Sequence, residues 1–293
     1  MKETLSIRLF RALLDGKRRL GTDALKRMRH FLADRKSVGE AFMNKGGEPD
    51  IYYTSFGWAL AYVLGLPLDR ELMRRYLESL DQASMDLVHY AAYRRCGLIW
   101  RFFNVPEWLA GRMPVVGNWA DPVSVPHFKV IDYPNQDPDS PYSRFICRGC
   151  LEDCGQKVDQ KRTLNCFAAY RVANGGFSNR RGDSLASVNA TAAALMVIGQ
   201  EDEYRKNDDL DYLLHVQDPS GGFRADVTAP VPDLLSTATA LFALRCYGVS
   251  PLVSPRDFIE AHWLDNGGFG ATLWDEEGDV EYLFYGLLAL GSL

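Results

Sequence analysis

Asn174-Gly175-Gly176-Phe177 recurs as Ser220-Gly221-Gly222-Phe223 and again as Asn266-Gly267-Gly268-Phe269, with the glycine pairs 46 residues apart each time. A fixed period of this length marks a repeat architecture. An Ala/Leu-rich stretch follows each pair: Ser184 to Leu195, Asp233 to Leu244, and Asp279 to Leu290. In this register Ser184, Asp233 and Asp279 coincide, and Asp50 matches them, with Gly65 ending its stretch as Gly199 and Gly248 end theirs. Small-residue helices that are apolar all round must be buried on every side. The stretches before the glycine pairs (163–173, 206–217 and 254–264) carry more charge and are expected to form an outer layer. Alternating inner and outer helices either stack into a solenoid or close into a ring. A solenoid would favour a polar capping repeat, yet the chain from Asp279 to Leu293 is among its most apolar parts, so closure is expected.

Outward from the repeats, residues 4–15 have helical spacing with Gly16 as a stop, and Thr22 is expected to cap a second helix through Leu32. Asp50 is expected to cap a third, and 69–80 and 84–100 read as a further pair. Between Phe102 and Arg162 there are seven prolines and little periodicity. The stretch 102–162 is therefore expected to be an ordered, aromatic-rich insertion in a single domain spanning 1–293.

The bulk properties exclude several function classes. The chain has 293 residues, 47% of them hydrophobic and 24% charged, with a net charge of −5. That balance speaks against a nucleic-acid partner, which needs a basic field. No apolar run is long enough for a transmembrane segment. No secretory signal is evident, so six cysteines point to a reducing, cytoplasmic setting.

Gln217-Asp-Pro-Ser-Gly221-Gly222-Phe223 resembles the Gln-x3-Gly-Gly-Phe signature of protein prenyltransferase β subunits. It is also similar to the Gln/Trp repeats of the squalene–hopene and oxidosqualene cyclases. Asp279 to Leu290 resembles the last inner helix of the prenyltransferases. The resemblance covers most of the chain outside 102–162 and implies an all-α fold, an α/α toroid with a central apolar cavity for an isoprenoid or other elongated apolar substrate. It also implies transferase or cyclase chemistry and allows for a partner subunit. The family's zinc ligands carry over incompletely: Asp233 matches the Asp, but Leu235 stands in place of the Cys and Tyr282 in place of the His. One carboxylate does not hold zinc. Its diphosphate-binding positions fall near Ser184, Val227 and Pro230, with Arg180, Arg181 and Arg224 in the loops nearby, and the cyclases' acidic motif is missing. The alternative is therefore a non-catalytic binding or assembly subunit that kept the toroid.

Three constellations remain. Cys147, Cys150, Cys154 and Cys166 are spaced to converge on zinc or an iron–sulfur cluster, with Gly149 and Gly155 permitting tight turns; the bland reading is core and loop thiols. The run Trp274 to Glu281 offers Asp275 and Asp279, with Asp233, as candidate acids, or as complements to helix dipoles. Tyr52, Tyr53, Phe56, Tyr282 and Tyr285 are candidate cavity-lining rings, and His89 is a candidate to reach the cavity; core packing explains many such residues equally.

Overall fold

A computed structural model of the chain describes residues 3–103, 137–153, 155, 165–199 and 207–293. The described residues are mostly helical, and one two-stranded sheet pairs Phe223–Arg224 (β1) with Pro232–Asp233 (β2). The helices are α1 (Leu5–Arg18), α2 (Thr22–Asp34), α3 (Ile51–Leu64), α4 (Arg70–Ser79), α5 (Leu87–Phe102) and α6 (Pro141–Asp153). They continue with α7 (Val188–Ile198), α8 (Asn207–His215), α9 (Leu234–Tyr247), α10 (Arg256–Ala261) and α11 (Val280–Ser292).

Six of these form the interior, packed in succession: α3 on α5, α5 on α6, α6 on α7, α7 on α9, α9 on α11, and α11 on α3. The more charged α2, α4, α8 and α10 pack outside α3, α5, α7 and α11 respectively. Each inner helix begins at a side-chain cap. Asp50, Asp86, Ser187, Asp233 and Asp279 each accept the backbone N–H three residues on, and Ser140 does the same for Ser143. These caps satisfy amide groups that have no partner within the helix.

The glycine-pair turns carry the chain from an outer to an inner helix, and both glycines are needed there. Gly221 has φ +94°, and a Cβ on it would stand 2.3 Å from the Ser254 carbonyl oxygen. Gly222 leaves room for a ring: its Cβ would meet Phe258 at 2.5 Å, as Gly176 would meet Tyr212 and Gly268 would meet Phe31. The third repeat thus receives its ring from α2, near the N-terminus of the chain. The following phenylalanine is buried, and its N–H donates to a threonine one turn into the inner helix: Phe177 to Thr191 and Phe223 to Thr237, both at 2.9 Å.

A fourth turn of this kind exists that has no glycine pair. Phe42 N–H donates to Thr54 Oγ1 at 2.9 Å, and Glu40, two residues earlier, takes φ +63° where the other repeats have glycine. Its carbonyl accepts from Trp58 Nε1 at 2.8 Å, and its carboxylate pairs with Lys36.

Several expectations are corrected. Ser187, not Ser184, caps α7, in step with the two other glycine-pair repeats, each cap there lying ten residues after its phenylalanine. Gly21 rather than Thr22 occupies the cap of α2. Gly16 lies inside α1, where its missing side chain admits Leu287 of α11. Within 102–162, expected to be an ordered insertion, residues Pro141–Asp153 form the inner helix α6; proline opens it because it is preorganised for the first helical turn and loses no hydrogen bond there. Residues 104–136 and 156–164, with their aromatic rings, lie outside the described residues.

Helix α1 runs across the C-terminal ends of the inner helices. Ser6 Oγ donates to Asp153 at 2.7 Å, Arg245 pairs with Asp15, and a Cβ on Gly291 would stand 1.7 Å from the Ala12 carbonyl oxygen. Among the described residues no helix is long and apolar enough to cross a membrane.

Candidate functional site

Between the six inner helices lies a cavity of about 360 Å³. Its walls follow the cap register. The residue two positions after each cap faces it: Tyr52, Val88, Tyr142, Asn189, Leu235 and Glu281. The residue four further on, one turn deeper, faces it too, including Phe56, Thr239 and Tyr285. This is the geometry of positions i and i+4 on one helix face. Leu9 of α1 lines the cavity as well, at the end where α1 crosses.

The lining is largely apolar with a few polar groups, the usual make-up of a small-molecule site. Tyr52 donates its hydroxyl to Glu281 Oε1 at 2.6 Å across the α3–α11 contact. Burial pushes the Glu281 carboxyl above its ordinary range; the Tyr52 hydrogen bond works against this and Asp279 works with it. Burial likewise pushes the Tyr52 and Tyr285 hydroxyls well up, so both are neutral donors. Tyr52 and Phe56 meet edge to face at 4.9 Å, and Phe56 lies 4.9 Å from Phe284, which fixes this wall. Thr239 donates to Asn189 Oδ1 at 2.7 Å across α7 and α9.

Of the residues singled out in the sequence, Tyr52, Phe56 and Tyr285 line the cavity, whereas Tyr53, Tyr282 and His89 do not. These three lie by the helix starts. Tyr53 sits near Asp279 and Asp50, its hydroxyl pushed up to about 12, chiefly by burial. Tyr282 lies beneath Lys45 Nζ, 5.4 Å from its ring centre. His89 Nδ1 meets Asp86 at 2.8 Å, and its Nε2 is 3.8 Å from Asp50.

The candidate acids are committed elsewhere. Asp233 accepts from Ser236 N–H and Ser236 Oγ, both at 2.7 Å. Asp279 accepts from Tyr282 N–H at 2.8 Å and pairs with Lys45 at 3.4 Å. Asp275 Oδ2 accepts from Thr272 N–H at 2.6 Å, closing a loop turn. None of the three lines the cavity. The acid that does is Glu281, one position into the helix beyond Val280. It belongs to the acidic run read in the sequence, and its cavity-facing place follows from the cap register. Replacing Asp233 by alanine is expected to cost about 1 kcal/mol through loss of the cap, measured by urea unfolding; a cost near zero would show the cap contributes nothing.

Cys147 and Cys150 lie on a helix rather than in a loop. Cys147 and Cys150 are buried one turn apart on α6, with Gly149 inside the helix, and Cys154 lies outside the described residues. Burial pushes the Cys147 thiol up to about 11. Cys166, in a short helical segment, accepts from Arg144 at 3.8 Å. Among the described residues no group of three or more His, Cys, Asp or Glu is placed to hold a metal ion.

A scan against protein-family models finds no match to this chain, and a search of curated proteins finds none either.

Proposed function

We infer that the chain is an α/α toroid of the prenyltransferase and terpenoid-cyclase kind, whose central cavity holds an elongated apolar substrate, with Glu281 as its proton-transferring group. The closed succession of inner-helix contacts, α3 to α11 and back to α3, supports the toroid. So does the alternation of inner with outer helices, a topology in which the inner faces surround a common axis. The observation that carries the chemistry is Glu281 on a largely apolar wall, held by Tyr52 at 2.6 Å. A buried carboxyl with a raised pKa retains its proton into the range where it is useful as an acid. Beside it, the faces of Phe56, Phe284 and Tyr285 are suited to stabilising a cationic centre formed on protonation of an alkene.

The test is proton transfer itself. The protein is incubated with squalene or geranylgeraniol in D₂O, and the recovered lipid is examined for deuterium by mass spectrometry. Deuterium uptake is expected with the native protein and is expected to fall roughly 10²–10⁴-fold in Glu281→Gln. Uptake unchanged in that variant would overturn the assignment. The second reading, a binding or assembly subunit, is favoured by the capping engagement of Asp233 and Asp279. Bound lipid without any deuterium uptake would select it.

A further inference from the structure

We propose that the ligand of the central cavity is an apolar monocarboxylic acid, its carboxylate held by Arg95; this rests on the cavity reading above. Arg95 lies on α5, nine residues after its cap, and lines the cavity while being only partly buried. Among the described residues it makes no hydrogen bond and no ion pair. A guanidinium on a largely apolar cavity wall offers a charged, forked donor to whatever enters. Its charge nevertheless acts on the cavity, holding down the Tyr142 and Tyr285 hydroxyls against the effect of burial. Asp153, the carboxyl whose charged form Arg95 favours, accepts from Ser6 Oγ at Oδ2 and is not ion-paired with Arg95.

A second donor is available. Asn189 uses its oxygen to accept from Thr239, and among the described residues its amide nitrogen meets no acceptor. Arg95 calls for an acceptor deep in the cavity, whereas Asn189, two positions after its own cap, lines it nearer the helix starts. The charge of that acceptor follows from the rest of the lining. Among the described residues, Arg95 and Glu281 are the charged side chains on the cavity wall. One guanidinium balances one negative charge, and its planar fork matches a carboxylate with two parallel hydrogen bonds. A diphosphate, carrying two or more charges, would leave the excess unpaired in an apolar space that already contains Glu281. The position differs as well. Arg95 stands more than two turns along its helix from the cap, level with Met196, Phe242 and Leu288, so the anionic group goes inside the cavity rather than to the loop arginines outside it.

Dodecanoic acid, dodecanol and dodecyl phosphate share one tail and differ in headgroup charge, so calorimetric titration of all three separates the possibilities. The native protein is expected to bind dodecanoic acid at least roughly tenfold more tightly than dodecanol. Arg95→Met is expected to erase that difference while leaving dodecanol binding unchanged, and Arg95→Lys to retain part of it; a circular-dichroism melt confirms that both variants fold. Equal binding of acid and alcohol by the native protein would overturn the Arg95 assignment and leave the cavity reading standing. Tighter binding of dodecyl phosphate than of the acid would overturn the monoanion. Failure of all three to bind would sink the cavity reading and this inference with it.

Discussion

Gly222→Val is expected to lower the free energy of unfolding by about 3 kcal/mol, the upper end of the range for an overpacked site. The cause is steric: a Cβ on Gly222 would stand 2.5 Å from the Phe258 ring, which is buried and held on α10. Gly221→Val is expected to fail for a different reason. Its φ of +94° is one that a β-branched residue scarcely adopts, and the atom its Cβ would meet is backbone, the Ser254 carbonyl oxygen at 2.3 Å. The two mechanisms are separable by a double-mutant cycle. Shrinking the ring with Phe258→Leu should relieve Gly222→Val, so that the pair is at least about 1 kcal/mol more stable than the sum of the singles. The same change should do nothing for Gly221→Val. Additive behaviour of Gly222→Val with Phe258→Leu would show that the second glycine is not there to admit the ring.

Gly291→Val is expected to be comparably damaging and to reach the cavity. The Cβ would stand 1.7 Å from the Ala12 carbonyl oxygen and 2.8 Å from Gly16 N, both on the backbone of α1. Backbone cannot rotate aside, so α1 must move away from α11 or α11 must bend. Overpacking of this severity costs about 3 kcal/mol, read as a lowered midpoint in urea. Because Leu9 lines the cavity from α1, the displaced helix should also open that end. Hydrogen exchange should then show the amides of α1 losing protection ahead of the rest of the fold. Protection of α1 unchanged from the native protein would mean that the crossing tolerates a side chain there.

How much of this was legible in the sequence depends on how local the cause is. The glycine pairs, the caps Asp50, Asp233 and Asp279 and the glycines after α3 and α9 act through neighbouring backbone, so their residue types announce them. Ser187 was misplaced by three residues, because Ser184 offers the same hydroxyl and the choice between them lies in the pairing of Phe177 with Ser187. The fourth repeat turn was hidden entirely. Glu40 holds a backbone conformation that the other repeats assign to glycine, and it is supported by Lys36 and Trp58, contacts that have no local signature. Pro141 read as a breaker, since a proline at the first helical position and a proline in a loop look alike until the helix after it is seen to pack.

The site divides along the same line. Aromatic residues at the starts of inner helices were apparent, but which of them face inward depends on the cap register of six helices, two of whose caps, Asp86 and Ser140, carried no repeat signal. Hence Tyr52 lines the cavity and its neighbour Tyr53 does not, and Glu281 lines it where Asp279, two residues earlier, is consumed by capping. The sequence by itself determined the mostly helical class, the period and the three glycine-pair turns, because each is set by one or two residues acting on the adjacent backbone. Only the tertiary structure decided which side chains meet across the cavity, since Tyr52 with Glu281 and Asn189 with Thr239 are brought together by helices packing, over 229 and 50 residues of chain.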